Sequence, residues 1–370
     1  MGELIKAITS SAPLLAVTVV IVIVATVTLL AVFVVAFAQG RSIAFWPPSI
    51  GERPKPASVL TEVPSPQAGT TSKPAASVRG AESWPPVAGS VFTTSSGAQY
   101  VMEDRLSVGG VSVIYRAAAL NNREQPVVIK ALWIGPEPDA EILRAFSNEA
   151  RATARLKHPN IAAPYDSGTY AGYPFLVMEF FTGGSLHAWL STHDQMRGQD
   201  IISVARQVFS AVDYAHQQGV IHRDLKPGNI LFESDPQGRV ALADFGIARI
   251  VGAAQIPITG AVSMAGTLTY ISPEALRSQP VSFATDIYSC GVILYEMIAG
   301  TPPFSAAGGD FGSIIGQILS GAPDIRKRKS SVSHELAERI GLALHSDPQQ
   351  RPVSATAILA GIERDLLVLH

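Results

Sequence analysis

The chain has 370 residues, enough for two or three compact units, of which 47% are hydrophobic and 16% charged, with a formal net charge of −2. This near-neutral balance, without a basic stripe, argues against nucleic acid as a partner. The single cysteine, Cys290, excludes an internal disulfide framework and a cysteine-based metal cluster, and the eight histidines lack the spacing of a zinc site.

An uncharged apolar run from Leu14 to Ala38 follows a short N-terminal segment, residues 1–13. About 25 residues at about 1.5 Å each give roughly 37 Å of helix, enough to cross a bilayer with some tilt. The alternative is a cleaved signal peptide, because Ala36-Phe37-Ala38 looks like a small-residue cleavage site. The apolar part of a signal peptide is usually only about 7–15 residues long, however. We therefore predict a transmembrane helix over residues 14–38.

The charges that flank this run are unequal. Lys6 alone precedes it, whereas Arg41, Arg53 and Lys55 follow it. Because cytoplasmic flanks tend to carry the excess of Lys and Arg, the C-terminal part of the chain is predicted to face the cytoplasm from the cell membrane.

Residues 39–96 are rich in Pro, Ser, Ala, Thr and Gly. Such a segment cannot bury enough apolar surface to offset the entropy of ordering it, so we predict a flexible linker. Trp46 suits the aromatic belt of a membrane, and Trp84 is interpreted as part of the linker. The linker would hold the following domain near the membrane and near other copies of itself.

From residue 97 to residue 366 the pattern is that of a folded α+β domain. Apolar alternation predicts strands first and helical spacing predicts helices later, hence a small β-rich lobe (97–181) and a larger helical lobe (182–366). The predicted strands are Val101–Leu106, Val111–Ala119, Val127–Trp133 and Phe175–Met178, and the predicted helices are Ala140–Leu156, Ile201–Gln217, Ala284–Ile298, His334–Leu344 and Ala355–Leu367.

Six short motifs stand in a fixed order within this domain. They are Val127-Val128-Ile129-Lys130, Glu149, His222-Arg223-Asp224-Leu225-Lys226-Pro227-Gly228-Asn229, Asp244-Phe245-Gly246, Ser272-Pro273-Glu274 and Arg351. Together they supply the charged groups needed to move a phosphoryl group from ATP to a hydroxyl. The domain resembles the protein kinase family, most closely the eukaryotic-like (Hanks-type) Ser/Thr kinases of bacteria.

The resemblance implies the bilobal kinase fold, ATP as phosphoryl donor, Mg²⁺ as metal with Mn²⁺ as an alternative, and Ser or Thr of proteins as acceptors. By the same resemblance, Lys130 would reach the α- and β-phosphates and pair with Glu149. Asp224 would orient the substrate hydroxyl and accept its proton, and Lys226 would steady the γ-phosphate. Asn229 and Asp244 would hold the metal.

The resemblance also assigns a nucleotide pocket. Met178 would be the gatekeeper, and Glu179 and Phe181 would offer backbone hydrogen bonds to adenine. The remaining pocket residues are Ile114, Val128 and Leu231, which would sandwich the ring, and Leu106, Ser107, Val108, Gly109, Gly110 and Ser112, which would cover the phosphates.

Two positions depart from the family pattern. Ser107 and Ser112 replace the outer two of three glycines, and a non-glycine residue forced to positive φ costs about 1–2 kcal/mol, so we expect a weakened grip on ATP. Replacing both serines by glycine would then tighten ATP affinity. Thr153 stands where the family usually has an apolar residue of the internal stack through His222 and Phe245, and its hydroxyl is expected to loosen the active arrangement.

Regulation is predicted from Arg223, since an arginine beside the catalytic aspartate commonly pairs with a phosphate on the activation segment. Thr259 and Ser263 are the candidate acceptors, and autophosphorylation between copies would raise activity. The resemblance implies that Thr267 lies in the substrate-binding loop. It further implies scaffold roles for Glu274 and Arg351, as an ion pair, and for Asp286, as support of the catalytic loop.

The sequence thus predicts a single-pass, membrane-anchored Ser/Thr kinase that uses Mg-ATP. Two alternatives stay open: a weakly active or inactive kinase-like scaffold that binds partners at the membrane, and a kinase acting on small molecules.

Overall fold

The computed structural model describes residues 84–108, 112–132, 153–193, 195–245, 268–305 and 311–369, together with the helical residues 143, 146, 147 and 150. In this part of the chain no helix is both long and apolar enough to cross a bilayer. The predicted span at 14–38 lies outside the described residues. Two lobes are present, as predicted.

The small lobe is a six-stranded antiparallel sheet with the strand order β1-β2-β3-β4-β6-β5. Its strands are β1 (Val91–Thr93), β2 (Gln99–Val108), β3 (Ser112–Ala119), β4 (Asn122–Leu132), β5 (Asp166–Tyr170) and β6 (Tyr173–Glu179). The two edges of the sheet meet, because Thr94 bridges to Gly168 and the Ser95 amide donates to the Ser167 carbonyl at 2.7 Å.

The start of the folded region differs from the prediction, which placed residues 84–96 in the linker. β1 pairs with β2, and Phe92 is fully buried, 4.5 Å from the ring of Tyr170 and 5.0 Å from that of Phe175. Gly168 is required at the closure, since a Cβ there would lie 2.6 Å from the Phe175 ring. Aromatic burial therefore outweighs the linker-like composition of this stretch.

The large lobe contains eight helices among the described residues. They are α1 (Leu186–Thr192), α2 (Gly198–Gln217), α3 (Pro273–Leu276), α4 (Phe283–Ala299), α5 (Phe311–Ser320), α6 (His334–Ala343), α7 (Thr356–Leu359) and α8 (Glu363–Leu367). A short hairpin, β7 (Ile230–Phe232) and β8 (Val240–Leu242), lies between α2 and α3 in sequence.

α4 is the centre of this lobe, and nearly all of its side chains are buried. A helix that is apolar all round belongs in a core, which explains its lack of a polar face. It ends at Gly300, whose φ of 73° is the left-handed conformation that glycine tolerates. The predicted C-terminal helix Ala355–Leu367 is instead two helices, α7 and α8, because Gly361 between them has a φ of 87°.

Candidate active site

The catalytic loop, residues 222–229, is fixed to α4 through the carboxylate of Asp286. Asp286 accepts hydrogen bonds from the backbone amides of His222 (2.8 Å) and Arg223 (2.9 Å), and His216 Nε2 lies 2.8 Å from the same side chain. Arg223 has a φ of 66°, which is costly for a non-glycine residue. The buried carboxylate stabilises this strained turn, as the predicted supporting role of Asp286 requires.

His222 orients the loop from inside the protein. Its Nε2 lies 3.0 Å from the Ala243 carbonyl, and its Nδ1 accepts the Asp224 amide at 3.3 Å. This network assigns the proton to Nε2. Burial lowers the pKa of His222, so the ring is neutral at physiological pH, and it packs 4.4 Å from the Phe245 ring.

The Asp224 carboxylate is held by two neighbours from its own loop. Lys226 Nζ donates to Asp224 Oδ2 at 2.9 Å, and Asn229 Nδ2 donates to the same oxygen at 3.1 Å and to the Asp224 carbonyl at 2.7 Å. Because both side chains converge on Oδ2, the carboxylate has a defined orientation toward any hydroxyl presented to it.

Asp244 joins the two lobes. It has a φ of 60°, and its Oδ1 lies 2.7 Å from Nζ of Lys130, which is on β4 and only 6% exposed. Burial acts to raise the pKa of Asp244, but the charge and hydrogen bond of Lys130 outweigh it, so the carboxyl is ionised. The Ala243 amide donates to the Asn229 carbonyl at 2.8 Å, which brings Asn229 and Asp244 side by side.

The donor set fits a magnesium ion. Because the Asn229 amide nitrogen is engaged by Asp224, its Oδ1 is the acceptor that remains for a metal, and the Asp244 carboxylate is the second candidate donor. In the described part of the chain no group of three or more His, Cys, Asp or Glu side chains could hold a metal. Mg²⁺ is typically bound by one or two carboxylates with substrate phosphates and water completing its shell, so two oxygen donors suffice here.

The predicted adenine-binding residues lie together between the lobes. Val128 and Met178 are register partners on β4 and β6, and both belong to the apolar cluster that contains Phe181 and Leu231. Ile114 on β3 is the register partner of Lys130. Ile114, Val128 and Met178 are thus neighbours of Lys130 on one sheet, with Glu179 at the end of β6.

Ser107 and Ser112, two of the residues predicted to cover the phosphates, lie in the regular strands β2 and β3. Ser107 pairs with Ile114 and Ser112 with Leu132, and neither is among the described residues with positive φ. Backbone strain at these two positions is therefore not observed, because β2 and β3 remain extended there, and the expected weaker grip on ATP stays a prediction. Leu106 and Val108 are exposed, as befits a cover over a cleft.

Thr153 is buried beside the catalytic cleft. Its hydroxyl has no hydrogen-bond partner in the described part of the chain, and the residue is 5% exposed. It lines a cavity with room for about one water molecule, between Met178, Asp244 and Phe245. An uncompensated polar atom here agrees with the expected loosening of the internal stack, which stays a prediction.

A family model described as protein kinase domain matches residues 100–361, more than half of the chain. The chain belongs to the protein kinase family.

Curated relatives within the family are bacterial Ser/Thr kinases. The chain is 36% identical over 266 residues to serine/threonine-protein kinase PknL of Mycobacterium bovis, covering 72% of this chain and 65% of that protein. It is 35% identical over 273 residues to PknJ of the same species (72% and 44%) and 33% identical over 277 residues to PknB of Mycobacterium leprae (74% and 43%). The chain thus spans less than two thirds of the length of these relatives.

Solved structures agree on the fold. The kinase domain of Mycobacterium tuberculosis PknI matches with a TM-score of 0.58 at 23% identity, covering 76% of this chain and 98% of that one. Rad53 in complex with AMP-PNP matches with a TM-score of 0.57 at 25% identity, covering 72% and 64%.

Several predicted kinase residues lie outside the described part of the chain. They are Glu149, Gly109, Gly110, Thr259, Ser263 and Thr267. Their roles stay predictions, and so does the ion pair between Lys130 and Glu149. The predicted pair between Glu274 and Arg351 is confirmed, with Nη1 and Nη2 of Arg351 donating to the two carboxylate oxygens at 2.9 and 2.8 Å.

Two kinase-domain contacts were not predicted. The Tyr270 hydroxyl donates to Glu296 Oε2 at 2.6 Å inside the large lobe. Arg239 binds the side chain of Glu179 at the junction of the lobes. Neither pair has a local sequence signal, because the partners are 26 and 60 residues apart.

Proposed function

We propose that this protein is a membrane-anchored Ser/Thr protein kinase that transfers the γ-phosphoryl group of ATP to Ser or Thr of protein substrates. One observation carries the proposal. The polar residues assigned to phosphoryl transfer form a continuous chain of contacts. Lys130 pairs with Asp244, and the neighbouring Ala243 is hydrogen-bonded through its backbone to Asn229. The side chains of Asn229 and Lys226 then both donate to Asp224 Oδ2.

Each side chain has a task that its contacts support. Asp224 accepts the proton of the substrate hydroxyl, with its orientation set by Lys226 and Asn229. Lys130 binds the α- and β-phosphates once nucleotide enters, and Lys226 neutralises charge on the transferred group. Mg²⁺, when bound at Asn229 and Asp244, neutralises the phosphate oxygens. Binding of AMP-PNP by the similar Rad53 supports a nucleotide in this cleft.

Protein substrates are favoured over small molecules by the relatives, all of which carry the name serine/threonine-protein kinase. Anchoring rests on the apolar run 14–38, and a cytoplasmic domain would have access to ATP. Autophosphorylation at Thr259 or Ser263 between copies rests on Arg223, whose guanidinium would pair with the new phosphate.

The test is phosphotransfer by the full chain in membranes. Incubation with labelled ATP, Mg²⁺ and a generic protein substrate should label the substrate and the kinase itself, and Asp224→Asn should abolish both signals. Labelling no greater than that of the variant would instead support the scaffold. Phosphopeptide mapping should find Thr259 or Ser263 modified, and fractionation should place the chain in membranes resistant to carbonate washing.

A further inference from the structure

Arg239 lies against the segment that joins the two lobes. Its Nη1 and Nη2 donate to Oε1 and Oε2 of Glu179 at 2.6 and 2.9 Å, so the pair is bidentate. Its Nε donates to the Pro159 carbonyl at 2.8 Å. The planar guanidinium binds the carboxylate with two parallel bonds and still donates a third to the carbonyl, a fixed geometry that the single nitrogen of a lysine cannot reproduce.

The same guanidinium covers the ring of Phe181. The Arg239 Cζ atom lies 5.2 Å from the ring centroid, within the range of a cation–π contact. Arg239 therefore contacts the side chains of both residues whose backbone is assigned to adenine, Glu179 and Phe181. Because Arg239 contacts their side chains, whereas adenine is assigned to their backbone, it would act on the nucleotide through these two residues.

Arg239 is itself held firmly by the large lobe. Gln207 on α2 donates to the Gly238 carbonyl at 3.0 Å and accepts the Val240 amide at 2.9 Å. Asn160 donates to the Val240 carbonyl at 2.7 Å and to Gln207 Oε1 at 2.7 Å. Both chain neighbours of Arg239 are thus fixed.

The contacts of Arg239 join two segments that lie at the junction of the lobes. One is the turn at 158–162, which is bound to the large lobe by the Ala162 amide donating to the Leu242 carbonyl at 2.9 Å. The other is the hinge that begins at Glu179. A side chain that binds both segments fixes the hinge backbone before nucleotide arrives, and preorganisation of this kind strengthens binding without adding a contact to the ligand.

We infer that Arg239 is a positioning residue for ATP, holding the hinge backbone at Glu179 and Phe181 in its nucleotide-binding geometry. The inference rests on the proposed function, which assigns ATP to this cleft.

Arg239→Gln should raise the KM for ATP about three- to tenfold while kcat changes less than about twofold, because the lost contact acts on binding and not on the transferring group. Glu179→Gln should raise the KM for ATP in the same direction but by no more than Arg239→Gln, because it removes only the ion pair. The double variant should be no worse than Arg239→Gln alone, since the Arg239–Glu179 pair is already lost in that variant. The measurements are steady-state kinetics and the affinity for a fluorescent ATP analogue.

The matched control is Arg206→Gln, which breaks another bidentate Arg–Glu pair, with Glu363 at 2.7 and 2.5 Å, away from the hinge. Its KM for ATP should equal that of the wild type. An unchanged KM in Arg239→Gln, or additive effects in the double variant, would overturn the inference alone. A wild-type protein that binds no ATP would overturn the proposed function and this inference together.

Discussion

Glu274 and Arg351, 77 residues apart in sequence, form a bidentate ion pair with side chains that are 4% and 0% exposed. The Arg351 guanidinium also donates to the Ala284 carbonyl at 2.8 Å and lies 4.9 Å from the Tyr288 ring. The pair therefore joins α3, the first turn of α4 and the segment before α7.

Arg351→Met should destabilise the folded domain by about 3–5 kcal/mol, because it leaves the Glu274 carboxylate buried without a counter-charge. Chemical denaturation measures this loss. Arg206→Gln, which breaks an exposed pair, is the control and should cost no more than about 1 kcal/mol. Equal losses in the two variants would contradict the importance of burial.

The same pair predicts acid sensitivity. Burial acts to raise the pKa of Glu274, but the hydrogen bonds and charge of Arg351 hold it at about 2, below the ordinary 4.5. A lowered carboxyl pKa contributes stability that is present above pH 4.5 and lost as the pH falls toward 2. Chemical denaturation should show that the free energies of unfolding of the wild type and of Glu274→Gln approach each other as the pH falls from 4.5 toward 2.

Glu296 predicts the opposite dependence. Burial raises its pKa to about 7, even though the hydrogen bond from Tyr270 acts to lower it. The neutral form is therefore favoured in the folded state, and stability is lost as the pH rises from 4.5 through 7, by up to about 3 kcal/mol. Glu296→Gln keeps an acceptor for Tyr270. Denaturation experiments between pH 5 and 8 should show that this variant loses the decrease in the free energy of unfolding with rising pH. A slope that persists in the variant would show another group to be responsible.

Thr153→Val should stabilise the domain by about 1 kcal/mol, because it replaces a buried, unpartnered hydroxyl by a methyl group of similar size. Thermal denaturation is the measurement, with Ser210→Ala, which removes a hydroxyl 3.3 Å from His158 Nε2, as a control that should not stabilise. A lower melting temperature in Thr153→Val would mean that water or a chain segment outside the described residues satisfies the hydroxyl.

Asp286→Asn should reduce kcat at least about 100-fold with little effect on ATP affinity, since an amide nitrogen would face the donor groups of His222, Arg223 or His216 and release the strained loop. Kinetics and nucleotide binding, measured together, separate the two effects. Parallel loss of affinity would indicate wider unfolding instead.

The sequence predicted the residues of the site better than it predicted the edges of the fold. Lys130, Asp224, Asn229 and Asp244 were predicted because phosphoryl transfer demands particular residue types at particular spacings, and the described geometry brings them together. Backbone strain at Ser107 was wrongly expected, since a family pattern gives residue types and not the φ angles of this chain.

What could not be predicted depends on partners distant in sequence. Phe92 looks like part of a polar linker until the pocket formed by Tyr170 and Phe175 is known. From the sequence alone, Arg239 would be interpreted as a surface arginine. Its position against Glu179 could not be predicted, because it depends on hydrogen bonds from Gln207 and Asn160, which are on other segments.

The closure of the sheet by β1 determines how mechanical force would enter the molecule. Whatever precedes residue 84 is joined to the small lobe first through Trp84, whose ring lies 4.5 Å from that of Tyr173, and through the backbone bonds of Gly89 and Ser90 to Met102. β1 follows, held by three register pairs to β2, by the bridge of Thr94 to Gly168 and by the buried Phe92 ring. Tension along the N-terminal segment would load those contacts before it reached the hinge or the residues that cover the phosphates, so the ATP cleft is shielded from pulling at that end.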